Sequence, residues 1–221
     1  MPAILDDAMI YNFRDIGGWR TADGRWVARG LVFRGAEFDC SPGSSALRLL
    51  ERLGIRRIID LRDPSEVAPF PPSSIARVHI PFLADSRNRD FQPTDRSPVA
   101  TAGRYYEYLS EGKASVLQVM RRLVTVRAEP TMLHCVAGRD RTGITIACLL
   151  SILGVPDEQI GLDYAASVVM DDEAGRRAHP DNITHLLRLI RERHGSVREF
   201  FAEERTDELP FAALEQVLID A

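Results

Sequence analysis

Lysine is nearly missing from this chain: Lys113 stands alone among 28 basic residues. Such a bias accompanies GC-rich bacterial genomes and suggests that kind of source. Cysteine is scarce too. Cys40, Cys135 and Cys148 form no CxxC or CxxH pairing, which argues against a disulfide framework or a zinc site. Reduced thiols in the cytoplasm are the simpler reading. A basic surplus is also lacking. With a formal net charge of −4, nothing points to a nucleic-acid partner. The longest apolar run, about 144–155, is too short for a transmembrane segment. The opening MPAILDDAMI has no basic region followed by an apolar run, so no secretory signal is expected. No repeat, low-complexity tract or linker divides the 221 residues, so residues 1–221 are expected to form a single domain.

The remaining pattern alternates strands and helices. RWVARGLVFRG (25–35) reads as a hairpin or two short strands. SSALRLLERLG (44–54) has a serine start, a glycine stop and apolar residues at 47, 49, 50 and 53, the mark of an amphipathic helix. IRRIIDLR (55–62) and ARVHIPF (76–82) read as strands around a proline-broken loop. Residues 84–100 are polar and proline-bearing, giving a candidate mobile lid at about 84–111. Helical pattern runs from about 101 to 127 with a break near Gly112. TMLHC is a strand, and RTGITIACLLSILG is a helix apolar most of the way round, hence buried. Helices are then expected from Pro156 to about Met170, over 181–194 and 196–204, and from about 210 to 220. This order implies an α/β fold: a mostly parallel central sheet flanked by helices, with a helical C-terminal half. Ligands of such sheets bind beyond the C-terminal strand ends, where Cys135 falls.

Between Cys135 and Arg141 lie Val136, Ala137, Gly138, Arg139 and Asp140. A loop of that length between a strand end and a helix start can curl so that its N–H groups, from Val136 to Arg141, face one centre. The helix N-terminus adds positive character there. Gly138 permits a positive φ or a close ligand approach. Cysteines at helix N-termini beside a cation favour the nucleophilic thiolate, which suits Cys135 beside Arg141. Arg141 offers a planar fork for two phosphate oxygens. Thr142 can donate a hydroxyl to the thiolate, and His134 can fix the loop through backbone bonds.

HCVAGRDRTG resembles the His-Cys-x5-Arg-Thr signature of cysteine-dependent protein tyrosine phosphatases. YNFRDIGG (11–18), GLVFRGAEF (30–38), LGIRRIIDLRDPSE (53–66) and HGSVREFF (194–201) resemble stretches of a bacterial branch related to the mycobacterial secreted phosphatase B. The resemblance implies that Cys135 attacks phosphorus, that water hydrolyses the phosphocysteine, and that Arg141 with the loop amides holds the oxygens. It implies neither a metal nor a cofactor. Phosphotyrosine proteins would be the substrates, with dual specificity left open, and inorganic phosphate the product. Two aspartates are open as general acid: Asp85 after a strand, as in many relatives, and Asp140 inside the loop, as in the bacterial branch. Asp140 is preferred, being bound to lie near the phosphate. Arg139 stands where that branch has lysine. A basic residue there also resembles loops that dephosphorylate inositol lipids, so phosphoinositides are an alternative substrate class.

Other readings compete. A cysteine at a strand end is ordinarily a small buried hydrophobe, and Cys148 in its apolar helix fits that description. NFRDIGG is either a turn, with Asn12 and Asp15 bonding nearby backbone, or a wall of the site. Asp60 and Arg62 fit an ion pair under the loop. A catalytically silent phosphate-binding module would not need both Cys135 and Arg141. A sulfurtransferase also surrounds a cysteine with an anion loop, but arginine and threonine after five residues favour phosphate.

Overall fold

The computed structural model describes residues 9–67, 73–83, 95–124, 129–168, 178–204 and 209–220. Its strands are β1 (Arg14–Asp15), β2 (Trp26–Val27), β3 (Val32–Gly35), β4 (Arg57–Asp60), β5 (Ala76–His79), β6 (Thr131–His134) and β7 (Ile219–Asp220). Its helices are α1 (Ser45–Arg52), α2 (Pro98–Glu111), α3 (Lys113–Val124), α4 (Asp140–Ile152), α5 (Asp157–Ala165), α6 (Asp181–His194), α7 (Val197–Ala202) and α8 (Phe211–Leu218). A 3-10 turn covers Pro64–Glu66.

The main sheet runs β1-β3-β6-β4-β5; β1 is antiparallel to β3 and the remaining pairs are parallel. The α/β architecture expected from the pattern is therefore present. The 25–35 stretch does form two strands, but they do not pair with each other. β3 lies inside the main sheet, whereas β2 pairs with β7 at the far end of the chain. Gly30, at φ 74, turns the chain between them.

Alternation across the strands sorts the core into two layers. Ile58 and Met132 join Phe33 and the buried face of α1, Ala46, Leu47, Leu49 and Leu50. Their neighbours Ile59 and Leu133 face the larger cluster, which holds the buried residues of α2 to α8. α1 starts at Ser44, whose side chain accepts from the Leu47 N–H. α4 is buried continuously from Thr142 to Leu150, as its sequence predicts for a helix apolar all round.

The helical pattern does break at Gly112, which ends α2. α2 starts at Pro98 with Ser97 as its cap, three residues earlier than the pattern implied. Of the expected lid, residues 84–94 lie outside the described residues; 98–111 is helix, with Thr101, Ala102, Tyr105, Tyr108 and Leu109 buried. α5 closes at Ala165, short of Met170, which lies outside the described residues. Among the described residues no helix is long and apolar enough to cross a membrane.

Candidate active site

Three parallel strands end in register: Gly35 stands opposite His134, and His134 opposite Asp60. The segments that follow therefore emerge on one rim. Cys135 follows β6 there and is buried. The loop that leads from it into α4 is shaped by contacts on its outer side. Val136 O accepts from Glu37 N at 2.9 Å. Ala137 O accepts from Asn12 Nδ2 at 2.9 Å, and Gly138 O from Arg34 Nη2 at 2.9 Å. In a trans peptide the N–H points away from the carbonyl of the same unit. The amides of Ala137, Gly138 and Arg139 therefore point away from these partners. Gly138 is required twice over: its φ is 64, and a Cβ would sit 2.3 Å from Gly35 O.

Beneath the loop lies a buried ion triad. Asp163 on α5 receives Arg14 Nε at 3.0 Å and Arg34 Nη1 at 2.5 Å, and all three side chains are at most 2% exposed. Arg14 also donates to Asp163 O, Ser167 Oγ and Asn12 O. Burial and the like charge of Arg14 push Arg34 down to about 10, while Asp163 and Cys135 favour its charge. Burial works against the Asp163 carboxylate too, but the two guanidiniums win and hold it below the usual carboxylate range. Two cations share one anion, so a net positive charge lies under the loop.

Asn12 is the one non-glycine residue at positive φ among those described, at 57. Besides Ala137 O, its amide donates to Val168 O at 3.2 Å and accepts from Val168 N at 2.8 Å. It ties the loop to the end of α5. Asp15 instead accepts from Gly17 N and Gly30 N, both at 2.8 Å. NFRDIGG thus serves both as a wall of the site and as a turn.

Arg141 forms a bidentate pair with Glu66: Nη1–Oε2 2.5 Å and Nη2–Oε1 3.0 Å. Glu66 is itself fixed, since Oε2 also accepts from Asp63 N at 2.7 Å. Burial raises the Glu66 carboxyl, but Arg141 and that backbone bond outweigh it and hold it below the ordinary range. Arg139 donates to Asp140 through Nε at 3.1 and 3.2 Å and Nη2 at 2.9 Å. Asp140 Oδ1 also accepts the hydroxyl of Tyr105.

Asp60 is fully buried and pairs with Arg62 and Arg77. Burial opposes its charge, but these arginines hold it well below the usual carboxylate range. His134 lies with Nε2 3.6 Å from Asp60 Oδ2 and Nδ1 3.2 Å from Cys135 O. Burial is the main cause that pulls His134 down to about 4. A neutral imidazole bonded to backbone fits a holding role. Thr142 Oγ1 is buried and meets no hydrogen-bond partner among the described residues, Cys135 included. Cys148 is core, and burial pushes its thiol up. Asp85 lies outside the described residues.

The structure thus gathers Cys135, His134, Asp140, Arg141 and Thr142 at one strand-loop-helix junction and points Arg139 at Asp140. Sequence reasoning assigned no role to Arg34, Glu66, Asp163 or Tyr105. Arg34 and Glu66 lie inside stretches that carried the family resemblance, which was their only signal.

The sequence model of the tyrosine phosphatase family matches residues 5–220, and the chain belongs to that family. It is 30% identical over 166 residues to a protein of Cupriavidus necator named as a candidate tyrosine-protein phosphatase, over 72% of this chain and 60% of that one. It is 28% identical over 190 residues to the triple specificity protein phosphatase PtpB of Mycobacterium tuberculosis, over 71% of this chain and 66% of the relative. The chain therefore spans less than two thirds of the length of either. Among solved structures, the catalytic core of Siw14 aligns at a TM-score of 0.48 and 14% identity, over 85% of this chain and 96% of that one.

Two predictions follow from the buried charges. Asp163→Asn leaves both guanidiniums without a counter-charge and should lower unfolding free energy by about 3–5 kcal/mol. Urea denaturation with an unchanged m-value checks this; a loss under about 1 kcal/mol would show that the arginines find other partners. For His134, the folded value is about 4 against an ordinary 6.5. Between those pH values the unfolded chain takes up the proton and the folded chain does not, so stability falls as pH drops through the window. His134→Gln should flatten that fall when unfolding free energy is followed from pH 7 to 4.

Proposed function

We propose that this single-domain chain is a protein tyrosine phosphatase that hydrolyses phosphomonoesters through a phosphocysteine. The observation that carries the proposal is the loop itself. Three successive carbonyls are drawn outward by Glu37 N, Asn12 and Arg34, which leaves the following amides aimed the other way, between Cys135 and Arg141. The amides from Val136 to Arg141 and the Arg141 guanidinium then receive the three non-bridging oxygens of a phosphate. Arg141 carries five N–H donors and spends two on Glu66, so it can hold Glu66 and phosphate together.

In the first step the Cys135 thiolate attacks phosphorus. The S–P bond forms as the bond to the leaving oxygen breaks, and Asp140 gives that oxygen its proton. In the second step water attacks phosphorus and the S–P bond breaks. Asp140 takes the water proton back, Cys135 leaves as thiolate, and inorganic phosphate departs. Thr142, whose buried hydroxyl has no described partner, is the donor that steadies the departing thiolate. His134, neutral at physiological pH, holds the loop without moving a proton. Asp140 is proposed over Asp85 because it opens α4 beside Arg141. The three unpaired thiols suit a cytoplasmic setting.

Arg139 supports a second substrate class. Its donors now meet Asp140, and an inositol headgroup carrying further phosphates would compete for them. The name of the mycobacterial relative, with its triple specificity, is in keeping with a site open to more than one phosphomonoester.

Cys135→Ser should abolish turnover of phosphotyrosine peptides and phosphoinositides alike while substrate still binds; a variant that keeps most of its activity would refute the phosphocysteine. Asp140→Asn should cut kcat/KM for substrates with poor leaving groups by about 10²–10⁴-fold. Asp85→Asn measured beside it decides between the two acids: if only that variant shows the loss, the assignment reverses.

A further inference from the structure

Asp140 is held from behind by three helices. α2 places Tyr105 against it, and the Tyr105 hydroxyl donates to Oδ1. That hydroxyl has one proton and spends it on the carboxylate. Its oxygen must therefore accept from the Tyr164 hydroxyl on α5, which lies 2.7 Å away. The Tyr164 oxygen in turn lies 3.5 Å from Asn182 Nδ2 on α6. A directed chain results, from Asn182 to Tyr164 to Tyr105 to Asp140, in which each donor strengthens the next. The two rings meet edge to face at 6.3 Å, which fixes them as a unit. Burial, aided by the Asp140 charge, pushes Tyr164 up to about 12 and Tyr105 well above the ordinary tyrosine value. Both remain protonated donors across the neutral range.

We propose that Tyr105 is a positioning residue for the proton transfer: it anchors Asp140 by Oδ1 so that Oδ2 is the oxygen presented to the leaving group and, later, to water. This rests on the reading of Asp140 as general acid. The charged and titratable groups around Asp140 are Arg139 and Arg141 from the loop and α4, Tyr105 from α2, and Tyr164 from α5. Of these, Arg139 meets both oxygens, Oδ1 through Nε at 3.1 Å and Oδ2 through Nε at 3.2 Å and Nη2 at 2.9 Å. Its side chain is 27% exposed and charged, so an incoming phosphate competes for it. Tyr105 is neutral and buried, and no anion draws it away. An aspartate carboxyl turns over a broad torsional range unless something holds it. With Arg139 drawn to substrate, Tyr105 is what holds it. Misplacement of a reacting group by about 1 Å can cost 10²-fold in rate, so one anchoring hydroxyl carries weight.

The competing view is that a buried tyrosine hydroxyl needs some acceptor and Asp140 supplies it. Leaving-group dependence separates the two. kcat/KM is measured for a series of aryl phosphates, from good to poor leaving groups, in the wild type, Tyr105→Phe, Asp140→Asn and the double variant. Tyr105→Phe should lose about tenfold at the poor end and less than about twofold at the good end, which gives a steeper dependence. The double variant should match Asp140→Asn alone. An equal loss across the series, or no loss, overturns the positioning role. If Asp140→Asn itself keeps the wild-type dependence, the general-acid reading fails and the role of Tyr105 with it, and that arm shows the failure whatever Tyr105→Phe does. Should Tyr105→Phe not fold, Tyr164→Phe withdraws the donor behind Tyr105 and is read the same way: a steeper dependence supports the proposal, and a parallel loss or none overturns it.

Discussion

One carboxylate shared by two guanidiniums, all three out of water, supports the loop from below. Burying charge is costly unless every partner is met. Asp163 meets this condition by giving one oxygen to Arg14 and the other to Arg34. The arginines reach further partners, Asn12 O, Asp163 O and Ser167 Oγ for Arg14 and Gly138 O for Arg34, while the buried Arg34 Nε meets no hydrogen-bond partner among the described residues. The loop is thus bonded to a group that cannot move without exposing uncompensated charge. Cys135 counts among the groups that favour the charged form of Arg34. The fold therefore provides for an anion before any residue of the loop is considered.

Strand register delivers these residues to one place. Arg34 pairs with Leu133, and Gly35 with His134. Successive residues of a strand face opposite sides of the sheet. Phe33 points into the layer beneath α1, and Arg34 points toward α5. A slip of one residue in β3 would exchange them, placing a guanidinium among leucines and a phenyl ring against Asp163. The same register puts Asp60 beside His134, where its pairs with Arg62 and Arg77 fill the rim.

The sequence made legible whatever is local. Cys135, Gly138, Arg141 and Thr142 sit in one strand-loop-helix unit, and their spacing identified it. The helix of 44–54 and the break at Gly112 were equally plain, because capping and periodicity act over a few residues. The Asp60–Arg62 pair was also within reach, two positions apart. Arg34 and Asp163 were not, since 129 residues separate them and only the folded sheet and α5 bring them together. Tyr105 lies 35 residues from Asp140, on a helix whose pattern shows which face is buried but not what it meets. The partner of β2 escaped for the same reason: the Gly30 turn resembles a hairpin, whereas β2 is claimed by β7 at the other end of the chain.

The RDR sequence of the loop looks symmetric, two cations around one anion, but the surroundings make it unequal. Arg141 faces a glutamate that is locked by a backbone N–H in a capped 3-10 turn, so its fork is set before substrate arrives and has donors to spare. Arg139 faces Asp140, its own neighbour, through a pair exposed to about a third. The two carboxylates are equally exposed, at 33%, so what distinguishes the pairs is the backbone N–H that fixes Glu66. In the proposed reaction the two arginines then divide the work. Arg141 keeps a fixed grip through both steps, while Arg139, once drawn to the substrate, leaves the Asp140 carboxyl held by Tyr105. A lysine could supply the charge of Arg139. It lacks the planar set of donors through which Nε and Nη2 both meet Asp140 here.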